Sequence, residues 1–340
     1  LRRGLTAARS MRDTAVDDEQ WARLVEDHLR RVTPTLVPGA GRIEHVAVLA
    51  PDVWLLHLAG GGRVVAKHQF YGLLTRDEPY DLLQVELDVL RALRRSGHSV
   101  PVPFGIDPQG QFIFLEYVGS RTLEDVLCAG EAGWICRIVP ALLNIEQTLA
   151  ADEQWSARVI RGAEKIDLLR AWSGVETVAL QGLTRWAAWA NRPCLIDDLT
   201  PVVRSLHRKL ATHEPTLGAT DYQPRNIVCG SGGRRLAFLE LGKLGWDWTT
   251  RRALQYTTPL REMADSAEME SACLRELSAS MPSDSARRSL DAHHLFFRLL
   301  LAARDPASAG LALLSESLSD EPSMQTLRRH LSALPRETRP

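Results

Sequence analysis

Thr220-Asp-Tyr-Gln-Pro-Arg-Asn-Ile-Val228 sets a carboxylate and a carboxamide, Asp221 and Asn226, five positions apart in a proline-containing loop that runs into a short branched stretch. Phosphoryl transfer needs that combination, because one acceptor must take or orient the proton of the attacking hydroxyl while a second oxygen ligand holds Mg²⁺. Asp221 suits the first role and Asn226 the second. The same residue types also build an ordinary Asx-rich turn, so the loop takes its meaning from what surrounds it. Downstream, stretches 227–229 and 236–239 predict a hairpin across Gly230-Ser-Gly-Gly233, with Glu240 fourteen residues past Asn226. Glu240 can supply the charged ligand that Mg²⁺ prefers, or be a solvated hairpin end. Asp247 either anchors this loop or joins the metal site.

Upstream, Val46-Ala-Val-Leu49, Val53-Trp-Leu-Leu-His-Leu58 and Arg63-Val-Val-Ala-Lys67 are short branched or aromatic runs split by Pro51-Asp52 and Gly60-Gly-Gly62. They predict a three-strand antiparallel meander. Leu83, Leu87, Leu90 and Leu93 then recur at helical spacing up to Ser96-Gly97, and two more strands follow at Ile106 and at Phe112-Ile-Phe-Leu115. Lys67 ends an otherwise apolar strand, where an amine needs water or an anionic partner. Glu86 lies on the side of the helix that the leucines mark as buried, where a carboxylate wants a cation. A Lys67–Glu86 pair would hold the amine towards nucleotide phosphates.

Before the meander, residues 1–16 predict a frayed tail, and a helix starts near Asp17 or Asp18 and ends at Pro34 to Gly41. Beyond Gly119 the pattern is helical almost throughout, with helices over 121–129, 134–149, 157–172, 177–190 and 197–212, and again after the hairpin up to 334. Pro140 is expected to kink or restart the second of these. Strand signal returns only at the hairpin. The organisation reads as a tail and helix over 1–40, a five-strand nucleotide-binding part over 41–118, and a helical part over 119–340 that carries the loop at 219–228 and the metal segment at 236–247.

Charge and composition limit the partners. Of 340 residues, 41 are Lys or Arg and 42 Asp or Glu, a net charge of -1 that gives no field to draw a polyanion, so neither nucleic acid nor an anionic membrane is indicated. No stretch approaches a membrane span, and the charged start lacks a signal-peptide core. Five cysteines, far apart and odd in number, fit a reducing cytoplasm.

From about Ile43 to about Leu301 the chain resembles the aminoglycoside phosphotransferase and choline kinase superfamily, whose loop usually reads His-Gly-Asp-Leu-His-Pro-Gly-Asn-Ile-Leu, followed by Ile-Asp-Trp or Ile-Asp-Phe. The resemblance implies an α+β, two-lobed, protein-kinase-like fold with a small antiparallel sheet lobe and a larger helical lobe. It makes Asp221 the catalytic carboxylate, Asn226 and Glu240 the metal ligands, and Lys67 with Glu86 the phosphate-binding pair. Glu116, Tyr117 and Val118, in Glu116-Tyr-Val-Gly119, become the hinge that meets the nucleotide base through backbone groups, which admits GTP as well as ATP. Ala219 and Gln223 stand where the loop usually has histidines, and Glu240 where it usually has Asp, so a form with reduced or no activity stays open.

The function these residues imply is ATP-dependent transfer of the γ-phosphoryl to a hydroxyl of a small molecule or peptide, with Mg²⁺ as cofactor. The alternative is a kinase-like or pseudokinase subunit that acts on or binds a precursor peptide within a biosynthetic complex. Trp155, Trp172, Trp186 and Trp189 read as core or as an acceptor platform. The acidic run Glu262, Asp265, Glu268 and Glu270 reads as a solvated face or as a surface for a polycationic acceptor such as an aminoglycoside.

Overall fold

The computed structural model describes residues 18–69, 81–230, 236–254, 267–304 and 308–319. The expected tail at 1–16, the turn at 231–233, Glu262, Asp265 and the stretch from 320 to 334 lie outside the described residues. The described chain forms two compact units. The first takes the residues up to Arg161, those of Leu217–Gly245 and those from Ala267 to Cys273; the second takes Gly162–Thr216, Trp246 to Leu254, and those from Leu274 onward.

In the first unit, helix α1 (Asp18–Leu36) precedes strands β1 (Ile43–Ala50), β2 (Val53–Leu58) and β3 (Arg63–His68), helix α2 (Leu82–Arg95), and strands β4 (Pro103–Asp107) and β5 (Phe112–Glu116). The five strands are antiparallel in the order β1-β2-β3-β5-β4, with Lys67 of β3 opposite Val53 on one side and Ile113 on the other. Side chains alternate across a strand. Val64 and Ala66 therefore join a core with Val25 and Leu29 of α1 and Phe112 and Phe114 of β5, which leaves Val65 and Lys67 on the other face. A buried contact of 2.5 Å between His28 Nε2 and Asp107 Oδ2 ties α1 to β4.

Helix α2 is bounded by local chemistry. Asp81 caps its start by accepting from the Gln84 amide at 3.2 Å. Its end is closed by Gly97 at φ 81°, a left-handed turn that lets the His98 amide reach back to the Leu93 carbonyl at 2.9 Å. Helices α3 (Leu123–Cys128) and α4 (Ile135–Ala150) follow. Pro140 lies inside α4 without ending it, so of the expected kink or restart the restart does not occur. The predicted hairpin is present as β7 (Ile227–Cys229) paired with β8 (Leu236–Phe238).

The second unit is led by α5 (Lys165–Trp189), one helix of 25 residues where the sequence suggested two, over 157–172 and 177–190. Ser173-Gly174 reads locally as a break. Trp172, Ala179, Leu183 and Trp186 nevertheless continue one buried stripe through it, and packing outweighs the propensity cost of a single glycine, about 1 kcal/mol. Residues 153–158 form a short 3₁₀ turn instead of a helix start. Helices α6 (Leu195–Ala211), α7 (Thr249–Ala253), α9 (Asp284–Arg304) and α10 (Ser308–Ser319) belong here, while α8 (Ala267–Ser280) runs through the division at Cys273. Two strands escaped the sequence reading, β6 (Thr216–Ala219) and its partner β9 (Leu244–Asp247). Four residues each are too few to show alternation.

Helices α5 and α9 touch at backbone distance, since a Cβ on Gly182 would stand 2.0 Å from the Leu299 carbonyl oxygen. The core around them is aromatic. Trp172 stacks on His207 at 5.1 Å and meets Trp248, His293 and Phe296 edge-on or tilted. Burial pushes the His293 ring down to about 3, so it sits neutral, with Nδ1 2.8 Å from Thr250 Oγ1. Trp155, Trp172 and Trp186 are all buried, which settles them as core; Trp189 is 48% exposed.

Candidate active site

The site lies wholly in the first unit. On β3, strand alternation aims Lys67 away from the α1 core, and Glu86 arrives from α2 on the same stripe as Leu83 and Leu90. The Lys67 ammonium donates to both Glu86 oxygens, at 3.0 and 3.1 Å. Gln69, two residues beyond Lys67 on the same strand face, donates to Glu86 Oε2 as well. The expected pair is therefore present, and it is buried: Glu86 is 2% and Lys67 8% exposed.

Lys67 has a second carboxylate, Glu240 Oε1, at 2.6 Å. Burial alone would lower the Lys67 pKa, but Glu240 and Glu86 outweigh it and hold the ammonium charged above the ordinary lysine range. Glu240 shows the mirror case. Burial pulls its carboxyl upward, and Lys67 and Lys243 more than offset that, keeping it below the usual value. At Glu86 burial, aided by the neighbouring Glu240, raises the carboxyl against the pull of Lys67. The shared Lys67 ammonium draws both carboxylates down, and it prevails at Glu240 with the help of Lys243, while burial prevails at Glu86.

Glu240 sits at φ 59°, in the left-handed region that costs a non-glycine residue of order 1–3 kcal/mol. That turn of backbone follows β8 directly and lets the side chain reach both lysines. Gly242, two residues on, passes α2 so closely that an added Cβ would lie 2.7 Å from Glu86 Cβ and 3.1 Å from Glu86 Cα. Gly242→Ala is expected to push α2 outward and cost about 1–3 kcal/mol. Thermal melts read that loss, and an unchanged melt would show that α2 yields freely.

Lys243 is the residue that sequence reasoning missed. Its Nζ stands 3.2 Å from Asp221 Oδ2 and 3.4 Å from Glu240 Oε2, so a single cation joins the proposed catalytic and metal carboxylates. Its own carbonyl accepts from the Thr220 amide and hydroxyl at 2.9 and 3.1 Å, pinning the start of the loop. A lysine three residues after Glu240 was the only signal available. Gln69 gave none, since a glutamine after a strand is commonplace.

The loop holds its shape without the histidines. Asn226 Nδ2 donates to the Asp221 carbonyl at 3.1 Å, and the Leu239 amide donates to the Asn226 carbonyl at 2.8 Å, which binds the loop to the Glu240 segment. Tyr222, 2% exposed, donates from its hydroxyl to Glu146 Oε1 of α4 at 2.6 Å. Ala219 is fully buried at the end of β6. Asp247 accepts from Arg251 twice at 2.7 Å and from the Trp248 amide, so it serves as an anchor of the following turn.

A cavity of about 120 Å³ opens beside Lys67, Glu86 and Glu240, lined also by Val65, Leu115, Val228 and Leu239 and by Glu116, Tyr117, Val118 and Gly119. Glu116, Tyr117 and Val118 thus line the same space as the ion-pair cluster. Arg63 covers the Tyr117 ring at 4.4 Å, the Glu116 carboxylate accepts from the Val102 amide at 3.2 Å, and the Glu116 amide donates to the Val102 carbonyl at 2.8 Å, so Glu116 is tied to the chain before β4 through both side chain and backbone. Among the described residues no group of three or more His, Cys, Asp or Glu side chains forms a metal cluster. A hard divalent cation nonetheless suits the donor set, which is oxygen only: two carboxylates already gathered round an ammonium, and the Asn226 carboxamide oxygen. Glu270 is buried in α8, so the acidic run is not a single solvated face. The five cysteines are all free, and no described helix is long and apolar enough to cross a membrane.

No family model matches the sequence, and no curated protein sequence matches it. Solved structures do. An ethanolamine kinase from Plasmodium vivax superposes with a TM-score of 0.50 at 12% identity, over 97% of this chain and 94% of that one. An aminoglycoside phosphotransferase from Alicyclobacillus acidocaldarius gives 0.49 at 11% identity, over 88% and 95%. The choline kinase LicA from Streptococcus pneumoniae gives 0.47 at 15% identity, over 90% and 99%. The likeness to the ethanolamine kinase establishes the fold, a kinase-like α+β fold with a five-strand antiparallel sheet and a larger helical part. Residue roles rest on the geometry.

Proposed function

We propose that this chain is an ATP-dependent phosphotransferase acting on a hydroxyl of a small molecule or peptide. The observation that carries the reading is the continuous ion network Glu86–Lys67–Glu240–Lys243–Asp221, set against a cavity that the hinge residues 116–118 also line. Lys67, fixed by Glu86, presents a charged ammonium to nucleotide phosphates. Asp221 orients the acceptor hydroxyl and takes its proton. Asn226 and Glu240 would hold Mg²⁺, which supplies charge neutralisation at the phosphates. Glu240 would then exchange its lysine contacts for the metal and leave Lys67 and Lys243 free to face phosphate oxygens. The acceptor class agrees with the name of the Plasmodium vivax neighbour, an ethanolamine kinase, and the free cysteines go with a cytoplasmic setting.

One observation favours the second reading, a nucleotide-holding subunit without catalysis in a biosynthetic complex. Both Glu240 oxygens face lysines, Oε1 towards Lys67 and Oε2 towards Lys243, so a metal would meet a carboxylate already ion-paired on both oxygens. Thermal unfolding with ATP, GTP and MgCl₂ in turn tests the shared premise. Nucleotide with Mg²⁺ at about 100 times its dissociation constant is expected to stabilise the chain by about 2.7 kcal/mol. A flat response to every nucleotide, with and without metal, would remove both readings.

A further inference from the structure

A second cavity of the first unit, about 590 Å³, shares no lining residue with the candidate active site and is walled by Arg91, Arg94, Arg95 and Arg158, with Asp88 and Trp155. Four guanidiniums against one carboxylate make a local excess of positive charge in a chain whose net charge is -1. The one carboxylate is already engaged on both oxygens. Asp88 Oδ1 accepts from Gln84 Nε2 at 2.9 Å, and Oδ2 accepts from Arg158 Nη1 at 2.6 Å. Arg94 donates to the Val100 carbonyl at 3.0 Å. Among the described residues, Arg91 and Arg95 have neither an ion pair nor a hydrogen bond from their side chains. They stand one turn apart on α2, a spacing that points both heads the same way.

The planar fork of arginine matches phosphate and carboxylate oxygens two at a time, and several such forks around one space select for multiple negative charge. The volume exceeds what a single inorganic ion fills and falls in the range of small-ligand sites. Helical rotation sets Arg95 about half a turn round from Glu86. The same rigid helix thus offers Glu86 to Lys67 on one side and these arginines on the other.

We infer that the arginine-walled cavity is a binding site for a small, multiply charged anion of the phosphate type, gripped by Arg91, Arg95 and Arg158. The inference does not depend on phosphoryl transfer, and its test reads binding alone. Inorganic pyrophosphate is titrated calorimetrically at low salt into the full chain, into Arg91→Ala/Arg95→Ala and into Lys243→Met. Both arginines are exposed, so their replacement leaves the core untouched. The dissociation constant is expected to rise about tenfold or more in the arginine variant, the worth of a lost pair of charge-assisted contacts, and to stay within about twofold in Lys243→Met. An arginine variant that binds as tightly as the parent overturns the inference. So does loss of binding in Lys243→Met, which would put the anion in the catalytic cluster, or a parent that takes up no pyrophosphate at millimolar concentration. If the catalytic reading fails while the arginine variant still behaves as expected, the anion site stands by itself.

Discussion

Replacing Lys67 by methionine is expected to destabilise the first unit by about 3–5 kcal/mol and to abolish nucleotide binding. The ammonium lies between two carboxylates, at 3.0 Å from Glu86 and 2.6 Å from Glu240. Removing it leaves Glu86, 2% exposed, with Gln69 as its remaining donor among the described residues. Methionine fills the volume of the stem, so the loss is electrostatic and not a cavity effect. Adding Glu86→Gln to the same variant is expected to return part of the stability, because the uncompensated charge is gone, while nucleotide binding stays lost. Chemical denaturation of the two variants beside the parent gives the comparison. A Lys67→Met chain as stable as the parent would mean that the pair is wetter and weaker than its burial implies. Equal stability of the single and double variants would show that Glu86 simply takes up a proton when its partner is removed.

Asp221→Asn is expected to lower phosphoryl transfer by about 10²–10⁴-fold, the usual worth of a positioned general base, while nucleotide stabilisation persists. The substitution keeps the size of the side chain and removes the charge that meets Lys243 at 3.2 Å. Lys243 retains Glu240, and the loop retains Asn226 and the Tyr222–Glu146 bond, so the fold has no cause to change. Rates measured with Mg²⁺ and with Mn²⁺ over a panel of hydroxyl acceptors separate the two readings of function. A variant that transfers at the parent's rate sinks Asp221 as the base. A parent that binds nucleotide yet transfers to no acceptor moves the protein to the non-catalytic reading.

How much of this was visible in the chain depends on the range over which each signal acts. The meander at 43–67, the leucine stripe of α2 and the strands flanking Gly110 were legible because alternation and helical spacing are repeated within a few residues, and the fold follows from them. Short-range signals failed where packing intervened. The sequence divided this stretch into helices over 157–172 and 177–190, yet the stripe from Trp172 to Trp186 carries α5 through the gap, and β6 and β9 are strands only because they pair with each other.

The site divides along the same line. Residue type and order named Lys67, Glu86, Asp221, Asn226 and Glu240, since an amine ending an apolar strand and a carboxylate on a buried helix face each demand a partner. What chain order cannot state is which partner. Tertiary structure alone gave Lys67 two carboxylates in place of one, turned Glu240 through a left-handed φ of 59° to meet it, and set Lys243 between Asp221 and Glu240. Ion pairing depends on distance in space, and residues 67, 221, 240 and 243 acquire a common distance only after the sheet, α2 and the loop have packed.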